Sequence, residues 1–191
     1  YNTDYSLDAC GAVATNFTNI QLWKNNTSLA QEFKFEKYSG LEKTIENGIY
    51  TISTALDNSK VIDIYGDYLK NSTNIQLYQS HGGDGQNFFV NYLGNGYYSI
   101  RSYQNVSYSL DVFNNEKNPG TNVELYGYAG GSNQQWIINQ TEDGYFNIIS
   151  RCNYLVMDVS NASTKNETNI LMYTKNNQTN QKFKFNKAII T

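Results

Sequence analysis

The chain has 191 residues, enough for one well-buried domain with an additional piece. Hydrophobic residues make up 39% and aromatics 15%, so a core can form without disulfides, and no apolar run reaches the length of a membrane span. Fourteen Lys and Arg against 17 Asp and Glu give a net charge of -3, which argues against a nucleic-acid partner, since phosphate binding wants a basic stripe.

Taken in order, the chain repeats itself four times. The first copy runs Leu7-Asp8-Ala9, Ile20-Gln21-Leu22-Trp23 and Gln31-Glu32-Phe33. The second adds a head, Gly48, Tyr50 and Ile52, before Ile62-Asp63-Ile64, Ile75-Gln76-Leu77-Tyr78 and Gln86-Asn87-Phe88. The third has Tyr98 and Ile100, Leu110-Asp111-Val112, Val123-Glu124-Leu125-Tyr126 and Gln134-Gln135-Trp136. The fourth has Gly144, Phe146 and Ile148, Met157-Asp158-Val159, Ile170-Leu171-Met172-Tyr173 and Gln181-Lys182-Phe183. In every copy the Asp precedes an aromatic by 15 residues (8 to 23, 63 to 78, 111 to 126, 158 to 173) and a Gln by 23 (8 to 31, 63 to 86, 111 to 134, 158 to 181). Such periodicity outranks any local reading.

Apolar residues alternate over four to six positions, as in Tyr50/Ile52, Val123/Leu125 and Phe183/Phe185, between clusters of Gly, Asn, Ser and Asp. This is the pattern of short strands joined by turns. Three complete repeats of four strands predict an all-β, twelve-stranded β-trefoil: a six-stranded barrel closed at one end by three hairpins. The expected trefoil spans residues 45–191, with repeats 45–92, 93–140 and 141–191. Residues 1–44 form a partial repeat. Its apolar residues Phe17, Ile20, Leu22, Trp23, Phe33 and Phe35, on three orphan strands, cannot be buried by those strands alone. They belong to the end of a preceding trefoil, are completed by another chain, or form an arm on the complete trefoil.

The Gln-x-aromatic units, strict as Gln-x-Trp at Gln134–Trp136, together with Leu-Asp-Val upstream, resemble the ricin B-chain type of β-trefoil lectin. That family includes bacterial toxin haemagglutinins and sugar-binding modules attached to glycosidases. The resemblance implies that the Gln and its aromatic are core elements. It also implies a sugar site of three parts: a carboxylate accepting from two adjacent hydroxyls, an aromatic ring stacking on the apolar face of a pyranose, and an Asn amide before the Gln, supplying donor and acceptor. The third copy offers Asp111, Tyr126 and Asn133, and the fourth Asp158, Tyr173 and Asn180. The second offers Asp63 and Tyr78 with Gly85 in place of the Asn, where Gln76 and the single histidine, His81, stand near enough to compensate. The first has Asp8 and Trp23 with Ala30, and is expected to be inactive. Against the lectin reading, the Asp can serve only to tie down its own hairpin through backbone N–H groups, and the tyrosines can be packing residues.

The implied function is non-catalytic binding of galactose or N-acetylgalactosamine-type glycans at shallow multivalent sites, targeting a toxin, hydrolase or larger complex to glycan surfaces. The alternative is an assembly module whose sugar sites have lapsed. No nucleophile–base pair shares the repeat spacing, so no enzyme is expected. Neither a cofactor nor a metal is implied, and the glycan partner is joined by a further protein domain or chain contacting residues 1–44. Nine Asn-x-Ser/Thr sequons, Asn71 and Asn105 among them, accord with a secreted protein. Cys10 and Cys152 allow one disulfide at most.

Overall fold

Period-two alternation between turn clusters produces strands of four to eight residues in the computed structural model, which describes residues 4–15, 18–34 and 42–188. The chain divides into two compact units, Tyr1–Tyr38 and Ser39–Thr191.

In the first unit, β1 (Tyr5–Ala9) pairs antiparallel with β2 (Ile20–Lys24), Asp8 opposite Gln21. Two strands stand where the sequence predicts three; Phe17 and Phe35 lie outside the described residues. Short 3-10 turns follow at Cys10–Ala12 and Leu29–Gln31.

The second unit carries twelve strands: β3 (Gly48–Thr54), β4 (Asp57–Ile64), β5 (Thr73–Gln79), β6 (Phe88–Gly94), β7 (Tyr97–Ser102), β8 (Tyr108–Val112), β9 (Thr121–Gly127), β10 (Trp136–Gln140), β11 (Phe146–Ser150), β12 (Val156–Val159), β13 (Thr168–Tyr173) and β14 (Phe183–Lys187). Six of them pair in a closed ring, β3–β6–β7–β10–β11–β14 and back to β3. Closure removes the free edges that short strands would expose. The remaining six form the hairpins β4–β5, β8–β9 and β12–β13, and their second strands pair mutually to cap the barrel. This is the expected β-trefoil.

The core repeats with the sequence. Phe88, Trp136 and Phe183 are fully buried at one equivalent position, Ile52, Ile100 and Ile148 at a second, and Leu77, Leu125 and Met172 at a third. Each such side chain contributes about 1.5–3 kcal/mol on burial. Tyr98 is buried too, its hydroxyl accepting the backbone N–H of Thr44 at 2.6 Å and of Ile45 at 3.1 Å. At the pseudo-threefold axis Asn122 donates to Asn74 Oδ1 at 3.0 Å, and Asn169 donates to Asn122 Oδ1 at 2.9 Å.

The same core positions are open in the first unit. Leu22 is 69% exposed where Leu77, Leu125 and Met172 are at 0%, and Phe33 is 39% exposed where Phe88, Trp136 and Phe183 are at 0%. Both cysteines are free thiols.

Candidate functional site

Each site is assembled where the strand carrying the Asp meets the loop carrying the Gln. Gln181 sits in a 3-10 turn (Thr179–Gln181), and its side chain staples that loop shut. Its Oε1 accepts the Asn176 N–H at 2.8 Å, while Nε2 donates to Thr174 O at 2.9 Å and to Asp158 Oδ2 at 2.8 Å. Gln86 repeats this with the N–H of His81, the carbonyl of Gln79 and Asp63 Oδ2. Gln134 repeats it with Ala129 N–H and Gly127 O, and its amide also reaches Asp111. Even in the first unit, Gln31 holds the N–H of Asn26, the carbonyl of Lys24 and Asp8 Oδ2. These bonds explain the constant spacing of 23 residues, since the Gln must reach one Asp and one loop together.

The Asp side chains are buried: Asp63 is 5%, Asp111 3% and Asp158 4% exposed. Side-chain amides, rather than the backbone N–H groups of their own hairpins, hold them. Asn133 Nδ2 donates to both oxygens of Asp111, at 2.9 and 2.8 Å, and Asn180 Nδ2 donates to Asp158 Oδ2 at 2.7 Å. The Asn amide thus donates to the carboxylate and fixes the Asp, while its carbonyl remains for another donor. Asn180 Oδ1 is buried without a partner. Burial raises the carboxyls of Asp111 and Asp158 above their ordinary value, while the Asn and Gln amides pull the other way.

The aromatic at the rim is open. Tyr126 is 41% and Tyr173 47% exposed, and Tyr78 is half-buried. Thus Asp111, Tyr126 and Asn133 line one hollow of about 110 Å³, with Asn114 and Glu124. Asp158, Tyr173 and Asn180 line another of about 330 Å³. The second copy brings Asp63, Gln76, Tyr78 and His81 together around a hollow of about 310 Å³.

In that second-copy hollow Gln76 supplies an amide donor to the Asp where the Asn is missing, and a residue from another loop fills the space of the Asn side chain. After β4, β8 and β12 the chain takes two successive left-handed residues, Gly66-Asp67, Asn114-Asn115 and Asn161-Ala162, a conformation that Gly, Asn and Asp tolerate best. The turn brings Asp67 across to residue 85: a Cβ added there would collide with Asp67 Oδ1. Asp67 thus occupies the space of the absent Asn side chain, and glycine makes room for it. Gln76 Nε2 donates to Asp63 Oδ1 at 2.8 Å. His81 Nε2 lies 3.6 Å from Asp63 Oδ2, beyond direct hydrogen bonding, with its ring edge-on to Tyr78 at 6.0 Å. Tyr65 and Tyr68 extend the same wall. Sequence reasoning missed Asp67, Tyr65 and Tyr68; their offset of two to five residues from the repeated Asp was the available signal.

The model of the ricin-type β-trefoil lectin domain-like family matches residues 29–126, 84–173 and 132–189, which together cover most of the chain. The chain belongs to this family. Among solved structures, the designed threefold-symmetric protein ThreeFoil is 31% identical with a TM-score of 0.71, the match covering 74% of this chain and 99% of that one. An exo-β-1,3-galactanase from Clostridium thermocellum is 26% identical (TM-score 0.70) over 77% of this chain and 32% of that chain, so the ricin-type lectin unit corresponds to about a third of the galactanase. The Rhizoctonia solani agglutinin is 26% identical (TM-score 0.65) over 77% of this chain and 99% of its own. Comparison with curated protein sequences finds no match. Membership in the ricin-type lectin family supports carbohydrate binding. Among the described residues no helix is long and apolar enough to cross a membrane, and no group of three or more His, Cys, Asp or Glu side chains could hold a metal ion.

Proposed function

We propose that the chain binds galactose- or N-acetylgalactosamine-type glycans without catalysis, through the hollows of its second, third and fourth copies. One observation carries the reading: in each complete repeat a buried aspartate, fixed by side-chain amides, lines a hollow beside an accessible tyrosine. A carboxylate held this way presents acceptors to a vicinal diol, and the ring offers an apolar face to the pyranose. The constellation recurs on a member of a lectin family, whose similarity to a galactanase adds weight to a galactose-type ligand. Hollows this shallow bind weakly one at a time, and several on one trefoil gain avidity on a clustered glycan surface. The role that fits is extracellular targeting of a toxin, hydrolase or larger complex.

The open apolar positions of the first unit, Leu22, Trp23 and Leu29 among them, support a partner there: a further protein domain or chain contacting residues 1–44, as at the end of a preceding trefoil.

The test is an NMR titration of the labelled chain with galactose, N-acetylgalactosamine and lactose. Saturable shifts at Asp111, Tyr126 and Asn133 and at Asp158, Tyr173 and Asn180, abolished by Asp111→Ala and Asp158→Ala in a folded protein, are the expected result. Silence from these sugars and from a broad glycan array would return the function to protein assembly.

A further inference from the structure

The residue two places before the rim tyrosine differs in each complete repeat, being Gln76, Glu124 or Leu171. In every case it is the cross-strand partner of the site aspartate, opposite Asp63, Asp111 and Asp158 respectively. Gln76 spends an amide N–H on Asp63 at 2.8 Å. Leu171 has no polar group to offer. An ionised Glu124 cannot donate, so it cannot replace Gln76; it places a second carboxylate beside the first.

Glu124 is 4% exposed and Asp111 3%, and both line the third-copy hollow. The groups facing them are neutral. Asn133 and Gln134 amides donate to Asp111, and the Ser72 hydroxyl donates to Glu124. Among the described residues no Lys, Arg or His pairs with either carboxylate. Burial raises Glu124 above its ordinary value, and the neighbouring Asp111 charge adds to the effect. Two buried carboxylates served only by neutral donors carry negative charge that an entering cation can offset.

We propose that Glu124 makes the third-copy hollow selective for a sugar bearing a free ammonium group, a hexosamine such as galactosamine, over its neutral counterparts. The proposal rests on the carbohydrate reading of that hollow. An ammonium has three donors and no acceptor, which suits a pair of carboxylates, and its hydrogen bonds to them are charge-assisted. The half-exposed Tyr126 ring serves such a ligand with its face as well, since a π-face attracts cations. A metal ion is the other source of positive charge, but the hollow offers only two carboxylates, and the described residues contain no group of three metal-ligating acidic, His or Cys side chains. With Leu171 at the same register and Asp158 as its single carboxylate, the fourth-copy hollow lacks the preference; the second-copy hollow has Gln76 there but is lined by Asp67 and Glu167 as well as Asp63. One trefoil then presents three chemically distinct sites.

The experiment follows the amides around Asp111, Tyr126 and Asn133 in the full labelled chain at pH 7 and fixed ionic strength. Galactosamine, galactose and N-acetylgalactosamine are titrated separately, and calcium chloride alone in a fourth arm. Galactosamine is expected to bind this hollow about tenfold more tightly than galactose. In Glu124→Gln, checked for folding by unchanged shifts elsewhere, that ratio falls to near one. In Leu171→Glu the preference appears at the fourth-copy hollow. Equal affinity in the unmodified chain overturns the proposal, as does a preference that survives Glu124→Gln. Saturable shifts from calcium chloride at the same amides overturn it in favour of a metal ion. Galactose binding without the ammonium preference leaves the lectin reading standing; the absence of any sugar-induced shift in all three hollows removes both.

Discussion

Asp67 and Gly85 are complementary: the carboxylate of the first fills the space that any side chain on the second would enter. The second-copy hollow therefore keeps a polar group at the position where its sisters use Asn133 and Asn180, delivered from a different loop. Gly85→Ala is expected to push Asp67 aside at a stability cost under about 1 kcal/mol, because only the end of an exposed side chain must move. The double change Asp67→Ala with Gly85→Asn rebuilds the amide arrangement. Sugar-induced shifts near Asp63, compared between the single and double variants, check both statements.

The glutamine staple is a stability element. Gln181→Ala strands the Asn176 N–H, the Thr174 carbonyl and one donor to the buried Asp158. Only the Asp158 carboxylate is buried among these, the Asn176 N–H and Thr174 carbonyl being able to turn to water, so a loss of about 1–3 kcal/mol is expected, read as a lower urea midpoint at unchanged slope.

Acidification should weaken sugar binding at the third and fourth copies before an exposed aspartate would titrate. Burial raises Asp111 and Asp158, so they take up a proton above the ordinary Asp value of about 4. Protonation removes the charged acceptor, and affinity falls as pH drops through that raised range. For folding the sign is opposite: these raised groups favour the folded state most below the ordinary value, and the contribution is lost as pH rises through the raised one. Affinities from NMR titrations between pH 7 and pH 4.5 test the first statement, and urea midpoints over the same range test the second.

Leu77 and Leu22 hold the same place in their repeats but are 0% and 69% exposed. Leu77→Ala is expected to cost about 2–5 kcal/mol, and Leu22→Ala within about 0.5 kcal/mol. Calorimetry on the two variants decides this. A large loss from Leu22→Ala would mean that a partner already covers the first unit in solution.

The asparagines at the axis give a further contrast. Asn122 both donates to Asn74 and accepts from Asn169, so Asn122→Ala is expected to lower stability by about 1–3 kcal/mol while leaving the shifts of sugar-bound Asp111 and Asp158 unchanged.

The trefoil was legible because its constraints are periodic. The Asp-to-Gln bond recurs at one spacing, and the same apolar positions fill the core of each repeat, so the barrel followed from counting. The grouping of Asp111, Tyr126 and Asn133 was legible for the same reason. What the Asn does was not: its amide points at the Asp, a matter of side-chain direction that spacing does not encode. Asp67 escaped because the left-handed turn recurs after β4, β8 and β12 with different residues in each, and the approach of the Asp67 side chain to residue 85 is a tertiary contact that spacing does not encode. The Thr-Asn pairs at 73–74, 121–122 and 168–169 were visible as a repeat, yet only the pairing of β5, β9 and β13 turns them into a hydrogen-bonded set.

The barrel closes where β14 meets β3, with Phe185 opposite Ile52 and Asn186 donating to Ser53 across 133 residues of chain. The three hairpins are local and can form in any order, whereas this seam must wait for the last strand. Until β14 docks, the other eleven strands of the second unit leave the barrel open between β3 and β11. Late substitutions on β14, far from any sugar, should then govern how much protein is recovered intact rather than how well it binds.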